Sequence, residues 1–101
     1  MLNMFLYKEY LMITMPNETE REVVVWLKDG KYRVKILKIL EKGPLLSSEI
    51  AESLKTHRSS TSRVLNKLKD YNLIESISSK SRTIEYSITE KGKKILMYFS
   101  D

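Results

Sequence analysis

The chain has 101 residues, 42% apolar and 31% charged, the size and balance of one small domain with a core of its own. It contains no cysteine, one histidine (His57) and three glycines (Gly30, Gly43, Gly92). That composition excludes disulfides and thiol catalysis, and leaves no partner for a histidine metal site, no catalytic triad and no glycine-rich phosphate loop. The formal net charge of +5 is uneven: residues 1–27 carry two basic and four acidic groups, 28–71 eleven and five, 72–101 five and four. Positive charge gathered mid-chain fits an anionic partner, and equally a solvated lysine-rich surface.

Met1–Met15 is apolar and ambiguous between strand and helix, and Pro16 closes it. It lacks the leading basic residue and small-residue cleavage site of a signal peptide. No apolar run approaches the roughly 18 residues that span a membrane. The expectation is a cytoplasmic protein with no membrane contact, no cofactor, no metal and no enzymatic activity.

Asn17 to Lys28 reads as a helix, with Asn17 as cap and Glu20 completing a capping box. Its run Val23-Val24-Val25-Trp26-Leu27 favours strand by propensity. Asp29-Gly30 interrupts the pattern. Lys31 to Lys42 follows as a clearer helix, its stripe being Tyr32, Ile36, Leu37, Ile39 and Leu40. Gly43-Pro44 ends it. A short helix starts at Ser47 or its neighbour and runs to Leu54, with Ile50, Ala51 and Leu54 inward.

Arg58 to Tyr71 is the next helix, with Thr61, Val64, Leu65, Leu68 and Tyr71 on one face. Asn72 can stop it in the left-handed conformation. Leu73–Ser78 and Thr83–Ile88 then alternate like strands around the basic tip Ser79-Lys80-Ser81-Arg82. Thr89 caps a last helix over Glu90–Phe99. Trp26, Tyr32 and Tyr86 read as core aromatics, and Lys31, Arg33 and Lys35 as surface.

The predicted fold is therefore mainly α with a β-hairpin (α+β): two short helices joined by a tight turn, backed by a wing. The stretches Ser48–Leu54, Arg58–Leu68 and Asn72-Leu73-Ile74 resemble winged helix-turn-helix transcription regulators of the MarR and ArsR type, especially small archaeal ones. Tyr86-Ser87-Ile88-Thr89-Glu90-Lys91-Gly92 resembles their exit from the wing, and Trp26-Leu27 ahead of Tyr32-Arg33 resembles the archaeal members. Three positions depart from that pattern. Lys55 stands where a turn glycine is common, Thr56 where an aliphatic residue is, and His57 where Ser or Thr caps the recognition helix. On this reading residues 1–16 are an N-terminal extension and 17–101 one domain, with the helix-turn-helix at 47–71, the wing at 73–88 and a dimerisation helix at 89–99.

At about 100° per residue, the polar face of the 58–71 helix lies opposite Thr61 and Leu68. It holds Ser59, Arg63, Asn66 and Asp70, flanked by Ser60, Ser62 and Lys67, with Asp70 placed beyond the groove; Arg58 at the helix start is a further candidate for DNA contact. Arg63 suits a bidentate pair with guanine and Asn66 one with adenine. Lys80 and Arg82 would meet the minor groove or backbone, and His57 reads as a cap or phosphate contact. The bland alternative for the whole face is an ordinary solvated surface.

The resemblance implies a dimeric, sequence-specific DNA-binding regulator, acting as a repressor. Its expected partners are double-stranded DNA and a second copy of itself, with room for a small-molecule effector. Ile95, Leu96, Tyr98 and Phe99 form the expected dimer interface, joined by Phe5 and Leu6. A winged-helix protein-interaction module without DNA binding is the competing reading. Metal or thiol sensing in the ArsR manner lacks its ligands here.

Overall fold

The computed structural model describes residues 18–78 and 83–99. The expectations for Asn17, Phe5, Leu6, Lys80 and Arg82 fall outside the described residues. Five helices and a three-stranded sheet are described: α1 (Glu18–Lys28), α2 (Arg33–Leu40), β1 (Leu45–Leu46), α3 (Ser47–Leu54), α4 (Arg58–Asp70), β2 (Ile74–Ser78), β3 (Ile84–Ile88) and α5 (Glu90–Leu96). A single 3-10 turn, Met97–Phe99, follows α5.

The β-branched run in α1 is helical because its four-residue spacing puts Val23 and Leu27 in the core, and burial outweighs weak intrinsic propensity. Val25, on the outward side of the same helix, is 62% exposed. The core continues with Ile36, Leu37 and Leu40 of α2, Ile50 of α3, Leu65 and Leu68 of α4, and Leu73, Ile74, Ile88, Ile95 and Leu96. Trp26 and Tyr86 pack half-buried against it, and Tyr32 is half-buried with the Lys31 ammonium over its ring. Lys31 and Lys35 are exposed as expected, whereas Arg33 is half-buried.

The sheet runs β1-β3-β2, antiparallel throughout. In the hairpin Ile74 faces Ile88 and Ser78 faces Ile84. β1 was not legible as a strand: two residues, Leu45 and Leu46, pair with Tyr86 and Glu85 and carry no periodicity of their own. That pairing anchors the wing to the chain just before α3.

Leu46, rather than a serine, precedes the first residue of α3, and its N–H donates to Glu49 Oε1 at 2.8 Å. Glu49 thus supplies one half of a capping box.

A second correction concerns α5. Ile95 and Leu96 are 0% and 5% exposed within this single chain, so they offer no surface to a second copy. The short helix buries them against its own domain, since Gly92 lets it approach closely. A Cβ on Gly92 would lie 2.2 Å from the carbonyl oxygen of Leu73. Tyr98 and Phe99 are half-buried on the core, while Met97 is 73% exposed.

Candidate nucleic-acid interface

The two helices of the central pair end alike. Lys55 closes α3 in the left-handed region (φ 54, ψ 46), and Thr56 N–H donates to the Ala51 carbonyl at 3.1 Å. Asn72 follows α4 at φ 62, with Leu73 N–H donating to the Leu68 carbonyl at 3.0 Å. Both are six-to-one closures that use up carbonyls a helix end leaves open. Lysine in the left-handed region is strained where glycine would not be; asparagine tolerates it better. The turn is therefore tight despite lacking a glycine.

His57 starts α4 through its backbone alone (φ −75, ψ 148), and its side chain makes no capping hydrogen bond. Its carbonyl accepts from both the N–H and the hydroxyl of Thr61, each at 3.0 Å. His57 thus occupies the N-cap position as expected, but its side chain does no capping. Asn and Ser reach the next turn with a short polar arm, which the imidazole here does not do.

Thr61, Leu65 and Leu68 hold α4 to the core at 2%, 0% and 0% exposure. The candidate contact residues are solvent-facing throughout: Arg58 at the helix start and Ser59, Ser60, Ser62, Arg63, Asn66 and Lys67 beyond it are all exposed. No acidic residue occupies the first turn of α4. Arg63 and Lys67 lie four residues apart and Asn66 between them, so one face carries all three. Lys69 is an exposed cation of the last turn that the sequence reading passed over, as is Lys55 in the turn. Asp70 is exposed at the end of the helix, away from its first turn.

A 13-residue helix is about 20 Å long. With short hydroxylic residues leading and long basic ones behind, it fits a major groove about 12 Å wide. Among the described residues no group of three His, Cys, Asp or Glu could hold a metal ion. No described helix is long and apolar enough to cross a membrane.

Residues 30–76, from the turn before α2 into β2, match the model of the bacterial regulatory proteins of the arsR family. The fold is similar to that of ZitR, a zinc-responsive MarR family member from Lactococcus lactis, at TM-score 0.62 and 29% identity over 66% of this chain and 48% of ZitR. The fold is a winged helix-turn-helix, similar to that of regulators of the MarR and ArsR type. ZitR has also been solved in complex with DNA, and that structure matches at TM-score 0.60 and 28% identity over 64% of this chain and 46% of its own. The chain spans about half the length of ZitR.

Two further structures share the fold. The YodB transcriptional regulator of B. subtilis matches at TM-score 0.70 and 22% identity, over 77% of this chain and 79% of its own. MepR, a transcription regulator of the Staphylococcus aureus multidrug efflux pump MepA, matches at TM-score 0.66 and 21% identity, over 90% and 72%. No curated protein matches the chain.

Proposed function

We propose that this protein is a sequence-specific, double-stranded-DNA-binding transcriptional regulator that reads the major groove with α4 and represses by occupying a promoter. The observation that carries this reading is the exposed, carboxylate-poor side of α4, from Arg58 to Lys67, held rigidly by Thr61, Leu65 and Leu68 beneath it. ZitR, whose fold this chain shares, binds DNA, which supports the same use here. Arg63 and Asn66 read base edges in this account; the serines, Arg58 and Lys67 contact phosphates. Lys80 and Arg82, from the sequence, extend the grip to the minor groove or backbone.

One winged helix makes too few base contacts for useful specificity, so a homodimer on paired half-sites is part of the proposal. Val25 of α1, 62% exposed, and Met97 after α5, 73% exposed, are apolar surfaces that a second copy would cover. Phe5 and Leu6 remain candidates from the sequence for the same interface. The zinc response named for ZitR does not transfer: this chain has no cysteine and one histidine.

The test is charge reversal. Arg63→Glu combined with Lys67→Glu removes retention of duplex DNA while the thermal melt stays in place. Undiminished retention would overturn the assignment of α4 as the DNA-reading face, and no retention by the wild type would leave a protein-docking module in its stead.

A further inference from the structure

One cation on the α4 face is held by aromatic rings. The Lys67 ammonium lies 5.2 Å from the centroid of the Tyr71 ring, one helical turn further on. Tyr71 in turn meets Trp26 of α1, with centroids 5.2 Å apart and planes at 58°, an edge-tilted contact that ring quadrupoles favour. The indole also carries the Arg33 guanidinium, 4.2 Å from its centroid, and that guanidinium donates to the Trp26 carbonyl. Gly30 keeps this path open, since a Cβ there would lie 2.0 Å from Arg33 Nε. Lys67, Tyr71, Trp26 and Arg33 form one continuous stack, from the outer side of α4 to the corner between α1 and α2.

Two features make the stack a support for Lys67 in particular. Trp26 and Tyr71 are half-buried and packed on the core, so the rings are fixed while the ammonium stays exposed. Arg58 and Arg63 have no ring partner among the described residues. A ring face attracts an ammonium without using its N–H donors, so those remain available to an oxyanion. A side chain ordered in advance loses less freedom when it binds.

We infer that Tyr71 and Trp26 are positioning residues, which hold the Lys67 ammonium toward a DNA phosphate without touching DNA themselves. This rests on the DNA-binding reading above and deepens it. The stack also makes Trp26 a reporter of Lys67: it is the single tryptophan of the chain.

The experiment uses the full chain and a labelled random-sequence duplex at low salt. Tyr71→Leu weakens binding about two- to five-fold, the range a cation–π contact supports, and Tyr71→Phe restores it. In a Lys67→Ala background Tyr71→Leu has no further effect. Trp26 emission shifts on adding duplex to the wild type and not to Lys67→Ala, a surface variant whose folding is not at issue. An equal loss from Tyr71→Leu in both backgrounds, or the same emission shift in Lys67→Ala, overturns the inference while DNA binding stands. Absence of any binding by the wild type overturns both.

Discussion

The Thr89 hydroxyl donates to the carbonyl of Asn72 at 2.7 Å and accepts the Gly92 N–H at 3.0 Å. One side chain thus ties the end of α4 to the first turn of α5. The Thr89 N–H adds a third bond, to the Leu73 carbonyl at 3.0 Å. These three bonds join the end of α4, the entry to β2 and the start of α5.

Thr89→Val keeps the shape of the residue but leaves a helix N–H and the Asn72 carbonyl without their partner. It lowers stability by about 1–2 kcal/mol, the usual cost of a lost cap. Thr89→Ser, which retains the hydroxyl, recovers most of that. Urea denaturation midpoints at constant m-value distinguish the two. Equal midpoints for the valine and serine variants would refute the role given to the hydroxyl.

Gly92 carries a steric demand of a different kind. An added methyl would meet Leu73 oxygen at 2.2 Å and Ile88 Cγ1 at 2.7 Å, and the first of these is backbone. Gly92→Ala therefore pushes α5 off the hairpin base and costs about 1–3 kcal/mol. Thermal melting with no downward shift would show that α5 can move without loss.

Lys55 and Asn72 occupy equivalent turn positions with unequal ease. A left-handed lysine costs about 1–2 kcal/mol, while glycine gives back about 0.4–1 kcal/mol through the freedom of the unfolded chain. Lys55→Gly thus ranges from neutral to stabilising by about 1.6 kcal/mol, and Asn72→Gly gains less. Both are read from denaturant curves; a clear loss at Lys55 would mean the lysine makes a contact worth more than its strain.

Within α4, stability and binding separate by face. Leu65→Ala removes a fully buried side chain and costs about 2–5 kcal/mol of stability. Asn66→Ala, on the exposed side, changes stability by no more than about 0.5 kcal/mol and weakens specific DNA binding by about 1–3 kcal/mol. Paired melts and anisotropy titrations check this, and a stability loss at Asn66 would mean that residue belongs to the fold.

The helix-turn-helix was legible because its signals are strong and local. Thr61, Leu65 and Leu68 recur at helical spacing, Asn72 marks a stop, and Ile84, Tyr86 and Ile88 alternate. Lys55 stood out only as a lysine where a turn glycine is common; its left-handed conformation comes from the structure. β1 was missed because two residues cannot display a period. The inward turn of Ile95 and Leu96 was missed because apolar spacing does not say whether the partner is the same chain or a second copy. His57 was read as a cap or phosphate contact from its position, and it takes the N-cap position through its backbone alone. Lys67 and Tyr71 advertise their contact by a four-residue interval, but Trp26 and Arg33 join them only through the tertiary fold.

The central claim is that the exposed side of α4 engages DNA, and salt dependence tests it most directly. Purified protein is titrated against random-sequence and genomic duplex fragments by fluorescence anisotropy across a range of salt. With six or more phosphates engaged, affinity should fall by roughly 10³-fold between about 50 and 200 mM salt, and a genomic fragment should bind at least about 10³ times tighter than the random pool. Absence of binding at low salt, or binding indifferent to salt, would contradict the account.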